Sequence, residues 1–378
     1  MMVCPSYPPQ DITCGIGDYT RFLTEELAAQ GHEMVVVCST QYRGSPSGSA
    51  RVLPLFSRWS IREAWHLSGS PSAPRADIVH IQYTPALYGQ RMGFALLPLL
   101  ARLRRGGPPV VVTFHTLVGG PAWSKVSALL LLATAHHCIS ANEEVTAMVR
   151  RRFPRLMRRL TEIPIGANIP PIATNGKDRE AGRSLIGVPL VSHLLVHFGL
   201  VYPGKGLETL LEALALLRRQ HPGPYLVVVG DTRPEDGDYR TSLETLAARL
   251  GVASAVIWAG HRSAEEVSRV LRSADVFVVP YDGGSSIRRS SLIVGLAHGL
   301  PVVSTSANLC SAYLKDGENV ALVPPGNPQA LAARIASLLA APGEAARLGR
   351  AALGLAERFT WPTIARETRG LYARVLGR

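Results

Sequence analysis

Cysteine is scarce and scattered. Cys4, Cys14, Cys38, Cys138 and Cys310 are the only five in 378 residues, and no two form a C-x-x-C pair. An odd, dispersed set argues against a disulfide framework and suits a reducing cytoplasm. No apolar run is long enough to span a bilayer: the longest aliphatic stretch, Val126 to Ala135, falls well short of the ~20 residues required. Pro5, Pro8 and Pro9 interrupt the start, where a signal peptide would need a continuous apolar core. Neither half carries a Walker lysine motif. The expected location is the cytoplasm, with any membrane contact peripheral and on the inner face.

The chain is too long for one ordinary core and suits two domains of about 100–200 residues. Hydrophobic residues make up 47%, enough for both halves to fold. The net charge is +12, and arginine supplies most of the basic residues. Residues 1–170 hold 17 Lys+Arg against 10 Asp+Glu, a net of +7. Six arginines fall between Arg150 and Arg159, in RRRFPRLMRR. This run reads either as a solvated helix end broken by Pro154 or as a patch for a membrane surface or an anionic substrate. No nucleic-acid motif accompanies it, so no nucleic-acid partner is expected.

Strands and helices alternate in both halves. In the first, Met1–Cys4, Met34–Cys38, Asp77–Gln82, Val110–His115, His137–Ser140 and Glu162–Ile165 read as strands. Asp18 is placed to cap the first helix, whose stripe is Phe22, Leu23 and Leu27. Residues 40–75 give little pattern. Pro164 to Pro171 is a proline-rich break, followed by polar residues to about 180. In the second half, Leu194–Leu200, Tyr225–Gly230, Val256–Ala259, Val276–Pro280 and Asn319–Val323 read as strands, and Ser263 to Glu266 as a capping box. Thr360 to Arg378 is a final helix with Pro362 in its first turn. The pattern predicts two doubly wound, Rossmann-like parallel sheets facing across a cleft, with ligands at the carboxyl ends of the strands.

One stretch is unusual. Val278 to Thr305, VVPYDGGSSIRRSSLIVGLAHGLPVVST, passes from a strand through a glycine-serine loop into a helix. Backbone N–H groups gathered at a helix start suit a phosphate, and Arg288 and Arg289 stand beside them. Asp236-Gly237-Asp238 lies in a polar loop, and His136-His137-Cys138 alternate across a strand, so neither is expected to hold a metal.

Seven segments, in order, resemble the retaining GT-B glycosyltransferases of the glycosyltransferase 4-like and group 1 type. They are Gly15-Ile16-Gly17-Asp18-Tyr19 with Gly31-His32-Glu33; Asp77 to Tyr83; Thr113-Phe114-His115; Phe198-Gly199 with Lys205-Gly206; Ala274 to Pro280; Gly299 to Val303; and Val323 to Gly326. The resemblance implies an N-terminal acceptor-side domain over 1–170, with helix 360–378 packing back on it, and a C-terminal donor domain over 171–359. It implies a nucleotide-diphosphate sugar as donor, no further cofactor, no metal, and a glycan, lipid or small-molecule acceptor. His115 would contact the sugar, and Lys205 would stabilise the leaving diphosphate. Gly15 and Gly17 would admit the donor, with Ser285, Ser286, Ile287, Arg288 and Arg289 binding its phosphates. Gln82 and Tyr83 would lie on the acceptor side, and Arg150–Arg159 would be the site of any membrane contact.

Two departures stand out. The family's two glutamates eight positions apart fall here on Ser286 and Val294, and its arginine after the phosphate glycine is Leu200. Either Arg288 and Arg289 replace the lost charge, or the chain is a non-catalytic relative that binds a sugar nucleotide or a partner protein.

Overall fold

The structure is a computed structural model. It describes the chain except residues 9–13, 45–49, 89–91, 118–121, 174–175, 177, 221–222, 308, 310 and 378, so Cys310 lies outside the described residues. The chain divides into two compact units: Met1–Gly166 with Thr360–Arg378, and Ala167–Phe359.

The N-terminal unit is built on seven strands: β1 (Met2–Val3), β2 (Val35–Ser39), β3 (Arg51–Phe56), β4 (Val79–Tyr83), β5 (Val110–Phe114), β6 (His137–Ser140) and β7 (Leu160–Glu162). All pairings are parallel, in the order β3-β2-β1-β4-β5-β6-β7. A sheet covered on both faces must bury both sets of alternating side chains. Val3, Val79, Ile81, Val110 and Val112 pack under helices Ile61–Leu67, Leu97–Leu103 and Ala122–Thr134. Met2, Val36, Val111 and Ile139 face the other way, under helices Gly15–Ala29 and Trp361–Val375. The last helix is tied down by polar and ring contacts. The Tyr372 hydroxyl meets His80 Nδ1 at 2.6 Å, and Trp361 stacks on Phe22 at 5.1 Å.

The C-terminal unit has six parallel strands: β8 (Leu194–Phe198), β9 (Tyr225–Val229), β10 (Val256–Gly260), β11 (Val276–Val279), β12 (Val302–Thr305) and β13 (Ala321–Val323). Their order is β10-β9-β8-β11-β12-β13. Each sheet therefore reverses its winding once, at β1/β4 and at β8/β11. Connections leave the two strands of such a pair in opposite directions, which opens a crevice beyond their carboxyl ends. This two-sheet Rossmann-like architecture is the one expected.

Several local expectations change. Asp18 does not cap its helix. Its amide reaches back to Cys14 O at 3.0 Å, so Cys14 is the N-cap and Asp18 lies in the first turn. The stretch over 40–75 holds β3 and the helix Ile61–Leu67, which opens on a capping box from Ser60 and Glu63. β7 lies at Leu160–Glu162 rather than Glu162–Ile165. Helices Asp178–Ile186 and Pro342–Ala356 occupy segments with no clear earlier signal. Gly299, at φ +66°, ends the helix before β12 as its sequence position suggested.

Arg183 staples the C-terminal unit. It is fully buried, and its guanidinium donates to Asp275 Oδ2 at 2.8 Å and to the carbonyls of Ser273, Pro189, Leu190 and Ser192. Asp275 in turn accepts the Leu194 amide at 2.7 Å and also pairs with Arg179 at 2.9 Å, so this cluster sets the start of β8 beside β11. Removing Arg183 strips the donor from four carbonyls, while Asp275 keeps its second partner, Arg179, at 2.9 Å. Arg183→Leu is expected to cost ~2–4 kcal/mol of unfolding free energy. Urea denaturation measures it, and a loss under about 1 kcal/mol would contradict the assignment.

Candidate functional site

In the C-terminal unit the β8/β11 crevice gathers the charged groups. Beyond β8 the chain turns through Gly199 (φ +140°) and Gly204 (φ +95°) to Lys205 and Gly206 (φ +70°). A Cβ on Gly206 would lie 1.8 Å from Pro280 O, so glycine is needed for this loop to seat on the end of β11. That seating brings Lys205 to Tyr281. A Cβ at Gly199 would lie 3.3 Å from Lys205 Nζ and 3.2 Å from Ser291 Oγ, which places these groups at one point. Tyr281 donates to or accepts from Ser291 Oγ at 2.9 Å.

The Tyr281 ring carries two cations. Arg289 Cζ lies 4.1 Å from its centroid and Lys205 Nζ 5.4 Å. Tyr202 lies 4.8 Å from the same ammonium. Aromatic faces stabilise cations, but they do not neutralise them. Lys205 is buried, and among the described residues no carboxylate pairs with it. Burial, reinforced by Arg289, lowers its pKa to about 8. Two crowded cations with aromatic walls are chemically prepared for an anion.

The loop from Asp282 to Arg289 is arranged differently from expectation. Ser285 directs both of its donors into the fold. Its amide donates to Thr305 O at 2.9 Å and its hydroxyl to the same carbonyl, so both groups hold the loop to β12. Ser286 Oγ accepts the Arg288 amide at 3.3 Å, and Ser286 O accepts the Arg289 amide at 3.1 Å. Ile287 buries its side chain completely. The amides of Ser286 and Ile287 have no acceptor among the described residues, which leaves two N–H groups of the three expected. Arg288 is exposed, and Arg289 is the N-cap residue of the helix Ser290–Ala297. Val294 is wholly buried within that helix and offers nothing to a sugar hydroxyl.

In the N-terminal unit His115 follows β5. Its amide donates to Tyr83 O at 3.1 Å, and its carbonyl accepts Asn142 Nδ2 at 2.9 Å. His115 Nε2 meets Gln82 Oε1 at 3.0 Å. An amide oxygen only accepts, so this contact puts the ring proton on Nε2 and leaves Nδ1 as the acceptor. Desolvation drops the imidazole pKa to about 3, so the ring is neutral at physiological pH. Tyr19 packs edge-on against it at 4.9 Å. Gln82 thus positions His115. Tyr83 is a core residue, stacked on Tyr88 at 5.7 Å and edge-on to Phe114 at 5.6 Å.

The glycine pair also splits. A Cβ on Gly17 would sit 2.0 Å from Ser6 O, so Gly17 serves close packing of the chain itself. Gly15 is exposed, with nothing among the described residues within 4 Å of its Cβ position. Of the acidic pair in the polar loop, Asp236 accepts from Arg233 at 2.7 Å. Tyr281 and Ser291 carried no recognisable motif. The signal available for them was position alone, immediately after the β11 proline and at the first turn of the next helix.

The chain is similar to known proteins over nearly its whole length. The sequence family described as Glycosyl transferase 4-like domain matches residues 14–166, and that described as Glycosyl transferases group 1 matches residues 187–354. A D-inositol 3-phosphate glycosyltransferase of Segniliparus rotundus is 28% identical over 69% of this chain and 60% of its own length. The chain's match therefore spans about three fifths of that relative. A phosphatidyl-myo-inositol mannosyltransferase of Mycobacterium tuberculosis is 26% identical over 100% of this chain and 97% of its own. Among solved structures, Anabaena HepE in complex with UDP-glucose superposes with a TM-score of 0.73 at 19% identity, covering 99% of this chain and 98% of that one.

An anion held by Lys205 is expected to bind in a pH-dependent way. The buried ammonium loses its proton as pH rises through about 8, whereas an unfolded lysine holds it to near 10.5. Between those values the unfolded state binds more protons, so folding stability rises with pH while affinity for an anion falls. UDP affinity measured by calorimetry from pH 7 to 10 is expected to weaken by up to about tenfold per pH unit above the site's pKa. Lys205→Ala should flatten this profile; an unaltered profile in the variant would remove Lys205 from the site.

Proposed function

The chain belongs to the glycosyl transferases of group 1, and on that premise we propose that it moves a sugar from a nucleotide-diphosphate donor to an acceptor hydroxyl with retention of anomeric configuration. The observation that carries this reading is the pair Lys205 and Arg289 crowded on Tyr281 at the β8/β11 switch point. In the reaction the bond from the anomeric carbon to the diphosphate breaks, and a bond to the acceptor oxygen forms. The acceptor proton passes to a phosphate oxygen on the same face, so no side-chain nucleophile is needed. Negative charge grows on the departing diphosphate. Lys205, Arg288, Arg289 and the amides of Ser286 and Ile287 supply positive charge and N–H donors there, in the role a metal would otherwise fill. His115, neutral and oriented by Gln82, offers Nδ1 to a sugar hydroxyl.

The acceptor is proposed to be a glycan, lipid or small polyol. Two relatives whose names specify phosphorylated inositol acceptors support a polyol or glycolipid hydroxyl. The absence of carboxylates at Ser286 and Val294 supports a donor held mainly through its diphosphate, with the ribose held otherwise.

A panel of UDP, GDP and ADP sugars, tested for donor turnover with polyol and lipid acceptors, examines the proposal. Proton NMR of the product reads the anomeric configuration. Binding without turnover in every combination would favour a non-catalytic sugar-nucleotide-binding role. Arg288→Ala with Arg289→Ala is expected to weaken nucleoside diphosphate binding by about 1.5–3 kcal/mol per lost charged contact, with little change for the nucleoside. Equal losses for both ligands would make the arginines structural.

A further inference from the structure

β8 carries one polar side chain that the proposed sugar transfer does not use. His197 follows three buried aliphatic residues and is itself fully buried. Its Nδ1 lies 2.9 Å from Val278 O. A carbonyl only accepts, so Nδ1 carries the proton and Nε2 is left as an acceptor. Burial, reinforced by the charge of Lys205, lowers the imidazole pKa to about 3, so the Nε2 lone pair is present at ordinary pH. The bond from Nδ1 has a structural use. The β8/β11 register ends at Phe277↔Val196, and the side chain takes up the carbonyl of the next residue on β11, where the two strands part. Nε2 has no such use. It is buried, and among the described residues no donor reaches it. A desolvated acceptor is costly to leave unpaired, and an apolar side chain would fill the position without that cost.

The complementary group is close by. Alternation puts His197 on the same face of β8 as Leu195, the face covered by the helix Leu207–Gln220 that Lys205 introduces. Gly199 follows two residues on, roughly 7 Å along the strand, and its Cβ position is 3.3 Å from Lys205 Nζ. The ammonium lies on the rings of Tyr202 and Tyr281, and among the described residues it has no hydrogen-bond acceptor. Arg289, from the start of the helix Ser290–Ala297, is the other charge acting on it. The neighbouring acids are engaged elsewhere: Asp282 interacts with Arg289 and Glu208, and Glu208 accepts the Tyr239 hydroxyl at 2.8 Å. An aromatic face attracts a cation without fixing its rotation, whereas a lone pair fixes one N–H. An acceptor without a donor thus lies within one strand step of a donor without an acceptor.

We propose that His197 is a positioning residue for Lys205. Its Nε2 takes one N–H of the ammonium and turns the remaining N–H groups towards an anion in the β8/β11 crevice. Accepting that N–H also favours the charged form of Lys205 against its burial. Only the identity of the anion, a nucleoside diphosphate, rests on the proposed donor site.

The Lys205 titration is read directly in the full chain, without ligand, by NMR of carbon-13-labelled lysine. The chain has four lysines, Lys125, Lys177, Lys205 and Lys315, so the signal missing from Lys205→Ala identifies the residue. Two variants separate the imidazole's two nitrogens. His197→Asn places an amide N–H at the level of Nδ1, which keeps the bond to Val278 O, and ends short of Nε2. His197→Gln reaches the level of Nε2 and restores an acceptor there. The Lys205 midpoint is expected to fall by about half a pH unit or more in His197→Asn and to return most of the way in His197→Gln. At about pH 8 His197→Asn should also weaken UDP binding about five- to tenfold and leave uridine binding unchanged. A midpoint in His197→Asn within about 0.2 of that of the unaltered chain would overturn the proposal. Equal displacement in both variants would overturn it too, because a merely structural histidine gives no advantage to glutamine. A midpoint that responds as expected in a chain that binds no UDP would uphold the positioning role and count against the donor site instead.

Discussion

A buried ammonium held beside a guanidinium governs the C-terminal unit. Lys205 and Arg289 share one tyrosine ring, and burial makes the ammonium more costly to keep charged. The fold maintains the arrangement through backbone geometry. Gly206 lets its loop reach Pro280, while Arg183 and Asp275 fix the start of β8 against β11. The pair of strands at which the sheet reverses is also the pair whose ends carry the two cations. Electrostatic tension and topology therefore coincide at one crevice.

The N-terminal unit is organised by a different constraint. Its candidate histidine is neutral, because an imidazole this desolvated cannot hold a second proton at ordinary pH. Orientation comes from Gln82, itself buried, and from the edge of Tyr19. Such a group suits hydrogen bonding to hydroxyls and not the stabilisation of negative charge. The two units thus offer complementary chemistry, cationic in one and polar-neutral in the other.

Much of the architecture was legible beforehand. Long apolar runs such as Val276–Val279 and Val110–Phe114 are read easily because strands covered on both faces need no polar alternation. Weakly patterned segments were not. β3, RVLPLF, contains a proline and lies at the sheet edge, where burial imposes little. The helix Pro342–Ala356 is rich in alanine and glycine and has few large apolar residues to mark a stripe. In the site, residue type marked the loop after β11, but the partners of its members appear only in space. Ser285 is a tether to β12, and Tyr281 and Ser291, unremarkable in sequence, sit beside Lys205.

By itself the sequence determined the two-sheet plan, the family and the presence of the cations, because hydrophobic period, glycine spacing and residue charge are local properties. Tertiary structure alone decided which of those residues meet. It engaged Gly17, Tyr83 and Ser285 in close packing and internal hydrogen bonds. It also brought Lys205, Arg289, Tyr281 and Ser291 together from loops up to 86 positions apart in the sequence, because parallel strands place their carboxyl ends side by side whatever the length of chain between them.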